Sequence, residues 1–201
     1  MKKTIALLFA FAMLSGCTTY DFYRVSDDQV IPGLVADKAQ VIFLRPSGGV
    51  MGGLHAVIFD VTDEKQEIVG VAPAKSKFAM NLTPGKHRLL STNGLQGHIM
   101  ELNVLAGKRY FVLVRPIYGN GFQLRPLKPS ADDEFGQNNA KFPSWVSETK
   151  MAVVADDIHQ WHAKFAKNIN KVQVRADKVW DEKNDSQRSQ LSLSRDDFEK
   201  D

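Results

Sequence analysis

The strongest constraint on the fold is a series of short apolar segments between residues 39 and 127, each closed by a turn signal. The first segment runs from Val41 to Leu44, and the most apolar one runs from Tyr110 to Val114. Between two of them, Thr83-Pro84-Gly85 places Pro and Gly as a type II turn requires. No helical segment interrupts the series, so a parallel sheet with helical crossovers is disfavoured. The pattern predicts an antiparallel β-sandwich of seven to eight short strands, immunoglobulin- or transthyretin-like, over residues 39–127.

The hydrophobic period changes near residue 151. Apolar residues then recur at steps of three or four, which is one face of an α-helix. We therefore predict a linker over residues 128–150, a long C-terminal amphipathic helix over residues 151–183, and a disordered polar tail over residues 184–201. The tail has little to bury.

The apolar face of this helix is the candidate partner-binding surface. We expect its first half to pack on the sandwich, and its second half to overhang the sandwich as a helix-in-groove surface. The candidate residues are Trp161, Phe165, Ile169, Val172, Ala176, Val179 and Trp180.

The N-terminus reads as a secretory signal. Lys2 and Lys3 precede an apolar stretch from Ile5 to Leu14, which is well short of the roughly 20 residues that span a bilayer. The next residues, Leu14-Ser15-Gly16-Cys17, resemble the lipobox of bacterial lipoproteins. The resemblance implies that residues 1–16 are removed as a lipoprotein signal peptide. It also implies that the Cys17 thiol carries diacylglycerol, that the new amine is acylated, with palmitate for example, and that residues 17–38 are a lipid-anchored tether.

The lipobox resemblance also implies a location for the protein in the cell. Thr18 follows the cysteine, where an Asp would imply retention in the inner membrane. The expectation is therefore a lipid anchor in the outer membrane with the protein facing the periplasm, ahead of the inner membrane or the cell surface. Because Cys17 is the single cysteine, no thiol remains for a disulfide or a nucleophile.

The overall charge argues against nucleic acid as a partner. Loss of Lys2 and Lys3 with the signal leaves 24 basic against 23 acidic residues. A net charge so close to zero predicts no electrostatic footprint for nucleic acid or for anionic lipid.

Three stretches of the strand region resemble domain-of-unknown-function family 2846, a group of small bacterial lipoprotein domains. They are the strand 41–46 ending in Arg45-Pro46, the hairpin 82–87 around Thr83-Pro84-Gly85, and the turn 106–111 into an aromatic strand. The resemblance covers roughly residues 39–127. The family brings no known activity, so it implies no catalytic residue.

Candidate chemistry is sparse. His159 and His162 are spaced to share a metal ion, but two ligands do not make a site, so we expect neither metal nor cofactor. His55, His87 and His98 converge only if the fold brings them together.

The glycine-rich stretch 47–53 lacks the Lys-Ser/Thr pair of a phosphate-binding loop and opens a strand rather than a helix. Carboxylates cluster at a strand end and a turn, and a solvated turn explains them without catalysis. They are Asp60, Asp63, Glu64 and Glu67.

The sequence contains no nucleophile elbow and no metalloprotease motif, so we do not expect an enzyme. The functional expectation is a lipid-anchored periplasmic protein that is a binding or structural component of the bacterial cell envelope, with an envelope protein as partner. Two alternatives stay open. One is a small-ligand or metal-binding module, which needs a pocket, and the other is an envelope polysaccharide-acting enzyme, which needs paired carboxylates in a cleft.

Overall fold

The computed structural model describes residues 20–129 and 134–200. Within these ranges the protein is mainly β, and the predicted β-sandwich followed by a long C-terminal helix is confirmed. The strands are β1 (Tyr23–Val25), β2 (Ala39–Arg45), β3 (Ala56–Asp60), β4 (Glu67–Ala72), β5 (Ser76–Leu82), β6 (Gly85–Thr92), β7 (Gly97–Val104), β8 (Arg109–Ile117), β9 (Gly121–Pro126), β10 (Lys150–Val154) and β11 (Ser192–Leu193). The helices are α1 (Phe142–Glu148), α2 (Asp157–Asp181) and α3 (Asp185–Ser189).

The two sheets are mixed rather than purely antiparallel, which corrects one part of the prediction. The six-stranded sheet has the order β1-β10-β5-β2-β8-β9, and the five-stranded sheet has the order β11-β7-β6-β3-β4. Strand β2 runs parallel to β8, β10 parallel to β5, and β11 parallel to β7. Between β2 and β8 the chain passes through strands of the opposite sheet, so this parallel pair needs no helical crossover.

The inner core fills the space between the sheets. The rings of Phe43 in β2 and Phe78 in β5 stack with centroids 4.6 Å apart. Phe78 lies against Gly70 of the opposite sheet, where an added Cβ would come within 2.1 Å of the ring. Gly70 therefore provides the space that the Phe78 ring occupies.

The outer face of the six-stranded sheet is also covered. All seven residues of β2 are buried. Ile42 and Leu44 join Phe111 and Leu113 of β8 in a second apolar cluster, beneath the side chains of α1. Burial on both faces explains why β2 and β8 read as continuous apolar runs without alternation.

Helix α2 covers the outer face of the five-stranded sheet. Its buried side chains pack with Val57, Phe59 and other residues of the sheet. At Gly97 of β7 the helix comes close to the sheet, and an added Cβ would lie 2.6 Å from Cγ1 of Val172. The chain therefore forms four layers, which are α1, the six-stranded sheet, the five-stranded sheet and α2.

The predicted overhang of α2 is wrong. Val172, Ala176 and Trp180, in its second half, are at most 4% exposed. Val172 and Ala176 are covered by β7 near Gly97, and Trp180 shares an apolar cluster with Leu191 of the segment that follows the helix.

The prediction of a disordered tail is wrong for residues 184–200, which form regular secondary structure and buried contacts. This segment contains α3, which begins with a capping box at Asn184 and Gln187, and β11, which extends the five-stranded sheet beside β7. Leu193 of β11 reaches the inner core, and Leu191 lies beneath α2. The polar composition hid an alternation, Leu191-Ser192-Leu193, whose two leucines supply the buried contacts.

The predicted linker and tether boundaries also change. Residues 128–150 contain α1 and the start of β10, and α2 begins at Asp157 rather than at residue 151. Residues 23–25, which we assigned to the tether, form β1 and pair with β10. The signal peptide and Cys17 lie outside the described residues. Among the described residues, no helix has both the length and the apolar character needed to cross a bilayer.

Candidate functional site

A cleft of about 610 Å³ lies where the C-terminal segment meets the five-stranded sheet. We call it the C-terminal cleft. Its walls are the turn at Thr62 and Asp63, residues 86–88 of β6, residues 101–103 of β7, Lys128, Ser189 and residues 192–194. The cleft exists because β11 pairs with β7 at the sheet edge, which holds the C-terminal segment opposite the β3–β4 turn.

Polar side chains and hydroxyl groups line the cleft. Leu102 and Leu193 also lie in the lining but are only 2% exposed, because both belong to the inner core. Hydroxyl groups come from Thr62 and from three serines of the C-terminal segment. These serines are Ser189, Ser192 and Ser194.

The cleft carries more positive than negative side chains. Lys86, Arg88 and Lys128 line it, against the carboxylates of Asp63 and Glu101. Arg88 donates to Oε1 of Glu101 at 2.7 Å, which neutralises one of those carboxylates. Lys128 donates to the carbonyl of Ser189 at 3.3 Å, so its ammonium group is held at the mouth. Cations beside hydroxyl groups suit a small ligand with an anionic group and hydroxyl groups of its own.

Arg88 is fixed in place from a second side. Its Nη2 donates to Oδ1 of Asp177 in α2 at 2.9 Å, and its guanidinium carbon lies 5.7 Å from the Trp180 ring centroid. The pairing ties the cleft wall to α2, so the guanidinium is held in one orientation before any ligand binds.

His87 lies in the cleft wall, with a hydrogen-bond acceptor at each of its ring nitrogens. Its Nδ1 lies 3.0 Å from Oδ2 of Asp60, and its Nε2 lies 2.9 Å from the carbonyl oxygen of Thr83. Both neighbours accept hydrogen bonds, so both nitrogens donate only when the ring is protonated. The hydrogen bond to Asp60 accordingly raises the pKa of His87, against the opposing effect of burial. A ring with both nitrogens engaged has no lone pair for general-base catalysis.

Asp60 is held in its charged form. Burial would raise its pKa, but hydrogen bonds from His87 and from both the side chain and the backbone of Thr62 outweigh burial and lower the pKa. The backbone N–H of Thr62 donates to Oδ1 of Asp60 at 2.8 Å, which fixes the start of the turn at the cleft.

That turn is strained. Asp63 and Glu64 have φ values of 55° and 63°, the left-handed region that non-glycine residues rarely adopt. Backbone strain of this kind concentrates at functional sites. Asp63 lines the C-terminal cleft, and Glu64 follows it in the same turn. The sequence presented both residues only as turn carboxylates.

A second, smaller cavity of about 160 Å³ adjoins His55. Aromatic side chains surround it, because Phe22 of the N-terminal segment packs on Trp161 of α2 with ring centroids 5.1 Å apart. Burial, and secondarily the charge of Arg45, lowers the pKa of His55. The cavity therefore offers a neutral imidazole in an apolar setting, with room for very small molecules only.

The glycine-rich loop 47–53 packs against a buried cation. The carbonyls of Met51 and Leu54 accept hydrogen bonds from the guanidinium of Arg45 at 2.8 and 2.7 Å. The carbonyl of Ala72 accepts a third at 2.7 Å. The loop therefore presents backbone carbonyls to a buried cation.

The predicted partner-binding residues are mostly part of the core. Five of them are no more than 9% exposed, whereas Phe165 and Val179 are 38% and 50% exposed. A continuous apolar docking face is therefore not present on α2. The five buried residues are Trp161, Ile169, Val172, Ala176 and Trp180.

The histidines do not gather into one site. His162 lies 3.2 Å from Oε1 of Gln66 and packs on Phe59, while His98 contacts the carbonyl of Asn120 at 2.6 Å. His55 and His87 have the separate neighbours described above. Across residues 20–129 and 134–200, no three His, Cys, Asp or Glu side chains are grouped to hold a metal ion.

Sequence reasoning missed the C-terminal cleft. Lys86-His87-Arg88 follows the predicted Thr83-Pro84-Gly85 turn, and this basic triplet was the available signal. Nothing in the sequence indicates that Ser192 and Ser194 lie opposite it, because their position depends on the pairing of β11 with β7.

The residues that resemble domain-of-unknown-function family 2846 occupy one strand end and two turns. Arg45 closes β2, Pro84 precedes β6, and Gly107 precedes β8. No protein-family model, no curated protein and no solved structure matches the chain, so the resemblance remains a prediction from these residues.

Proposed function

We propose that the chain is a lipid-anchored protein of the bacterial cell envelope, facing the periplasm from the outer membrane, which acts by binding rather than by catalysis. The anchor is the acylated Cys17. One observation supports an anchor that lies close to the folded domain. Phe22, five residues after Cys17, packs on Trp161 of α2 with ring centroids 5.1 Å apart.

Mass spectrometry of the chain purified from membranes tests the anchor. We expect a mature N-terminus at Cys17 that carries acyl chains, and sedimentation of the protein with outer-membrane fractions. Cys17→Ala removes the acylated thiol and is expected to abolish both processing and acylation. Thr18→Ala is the matched control, since it leaves Cys17 in place. A purified chain with an unmodified Cys17 would overturn the anchor.

A second candidate function, small-ligand binding, is favoured by the C-terminal cleft. Its cations and hydroxyl groups suit a phosphorylated or carboxylated sugar-like molecule. Its position between the C-terminal segment and the sheet means that a bound ligand would contact both. Binding would therefore stabilise the fold, by an amount that rises with the logarithm of ligand concentration once that concentration exceeds Kd.

Thermal unfolding with added glucose 6-phosphate or inorganic phosphate tests the cleft. We expect the sugar phosphate to raise the melting temperature, and Lys86→Ala to reduce the rise. Lys141→Ala, a substitution at the N-terminus of α1 and outside the cleft lining, should leave the rise unchanged. An equal rise in the Lys86→Ala and wild-type proteins would place the bound phosphate elsewhere.

A further inference from the structure

The solvent-facing side of α2 carries a row of five cations. They follow one another at steps of three or four residues and are all exposed. At 3.6 residues per turn they fall within a strip about 80° wide and roughly 21 Å long. We call them the basic face of α2, which consists of Lys164, Lys167, Lys171, Arg175 and Lys178.

The carboxylates of α2 do not neutralise this face. Asp157 and Asp181 are the terminal residues of the helix. Asp177 lies off the strip and accepts a hydrogen bond from Arg88 of the sheet. The net charge of only +3 over the whole sequence therefore conceals a local concentration of positive charge.

Exposed apolar side chains flank the basic face. Val174 is 68% exposed, and Leu95, at the tip of the β6–β7 loop, is 70% exposed. Arg175 connects the two elements, because its Nη2 donates to the carbonyl of Leu95 at 3.0 Å. Cations mixed with exposed apolar side chains are typical of protein surfaces that lie on a bilayer.

The basic face also begins beside the point where the anchor joins the fold. Nζ of Lys164 lies 5.6 Å from the ring centroid of Tyr20. Tyr20 is the third residue after Cys17, and a segment of that length spans at most about 10 Å. An acyl group on Cys17 thus keeps the start of the basic face close to the membrane surface.

We propose that the basic face of α2 lies on the anionic phospholipid surface of the membrane that holds the acylated Cys17. The proposal rests on the lipid anchor proposed above. It fits the general requirement that stable membrane attachment combines two signals, of which one is often a cluster of cations. Each Lys or Arg close to an anionic bilayer strengthens surface binding on the order of fivefold.

Lysine acetylation of the full lipidated chain tests this contact. The chain is reconstituted in vesicles of phosphatidylcholine alone, or of phosphatidylcholine with phosphatidylglycerol, and the acetylation rate of each lysine is measured by mass spectrometry. We expect Lys164, Lys167 and Lys171 to react at least about fivefold more slowly on the anionic vesicles. Lys141, on the opposite layer of the fold, should react equally on both. High salt should remove the protection.

The paired variant Lys167→Gln with Lys171→Gln sharpens the test. It keeps long polar side chains on exposed positions, so the fold should be retained, and we expect it to lose the protection at Lys164. Lys141→Gln is the matched control and should keep that protection. Equal acetylation of Lys164 on neutral and anionic vesicles in the wild-type protein would overturn the proposal. Protection by added polyglutamate but not by anionic vesicles would also overturn it, in favour of an acidic protein partner.

The same experiment distinguishes a failure of the proposed lipid anchor from a failure of the proposed membrane contact. The mass of the same purified chain shows whether Cys17 is acylated. An unacylated chain that sediments with anionic but not neutral vesicles would support the basic face while removing the anchor. An acylated chain without lysine protection would retain the anchor and overturn the contact.

Discussion

The imidazole of His87 lies against the carboxylate of Asp60, with Nδ1 3.0 Å from Oδ2. The side chains are 11% and 14% exposed, so water screens the pair only partly. The pair joins the end of β3 to the start of β6 beside the C-terminal cleft. Both partners favour their charged forms, since the pKa of His87 is raised and the pKa of Asp60 is lowered.

The pair should make stability depend on pH. Its contribution through His87 is fully present below the ordinary histidine pKa of about 6.5, and is lost as pH rises through the raised pKa of the folded protein. Its contribution through Asp60 is present above the ordinary aspartate pKa of about 3.9. It is lost as pH falls through the lowered pKa of Asp60 in the folded protein. We therefore expect the pair to stabilise the fold most between about pH 4 and pH 6.5.

Urea unfolding of the His87→Gln variant measures this contribution. We expect the variant to lose about 2 kcal/mol at pH 5.5 and clearly less at pH 9, because a charged hydrogen bond is worth about that much. His159→Gln, at an exposed position of α2, is the matched control and should show no such difference. A loss for His87→Gln that is the same at both pH values would mean that the ring acts only by packing.

The sandwich was predictable because its signals are local. Continuous apolar runs such as Tyr110–Val114, and turn residues such as Pro84 and Gly85, lie within a few residues of each other. The parallel pairing of β2 with β8 depends on how distant segments meet, and the same is true of β11 with β7. Neither pairing has a local signature, so the mixed sheets and the C-terminal cleft could not be predicted.

The regular spacing of the cations in α2 is visible in the sequence, but a charge count over the whole chain conceals it. The five cations of α2 recur with the helical period, just as the apolar residues used to predict that helix do. The total of 26 basic against 23 acidic residues averages them with acidic residues elsewhere. The general reason is that net charge describes the whole chain, whereas recognition depends on one face.

Gly97 should be intolerant of a side chain. A Cβ there would lie 2.6 Å from Cγ1 of Val172 and 2.9 Å from Cδ1 of Leu90. We expect Gly97→Ala to destabilise the protein by about 1–3 kcal/mol, as overpacking of a core commonly does. Chemical denaturation measures the loss. Gly53→Ala, where nothing lies within 4 Å of the added Cβ, is the control. If both variants were equally stable, α2 would not be packed closely on β7.

Leu193 should be needed for stability despite its place near the end of the chain. It is 2% exposed and lies in the inner core. We expect Leu193→Ala to cost about 2–5 kcal/mol, the usual range for a buried leucine. Val174→Ala, at a position 68% exposed, should cost far less. Unfolding in urea gives both values. A negligible loss for Leu193→Ala would show that the C-terminal segment does not close the core.

Arg45 should hold the glycine-rich loop to the sandwich. It is fully buried, it lies 4.4 Å from the Phe122 ring centroid, and its guanidinium donates to three backbone carbonyls. Burial lowers its pKa to about 10, so it stays charged at neutral pH. Arg45→Met would leave those carbonyls without this donor while removing the cost of a buried charge. Because unpaired buried carbonyls cost about 1–3 kcal/mol each, we expect a net loss of at least about 2 kcal/mol.

Limited proteolysis distinguishes the loss of the hydrogen bonds between Arg45 and the loop from a general loss of packing. We expect Arg45→Met to expose the bonds near Gly48 and Gly52 to cleavage in native conditions, since the loop carbonyls lose the guanidinium that orients them. Arg24→Met, on the exposed strand β1, is the matched control and should be cleaved like the wild-type protein. A variant that is as stable and as resistant to protease as the wild type would show that the desolvation of the charge offsets its three hydrogen bonds, and that the loop is held by other contacts.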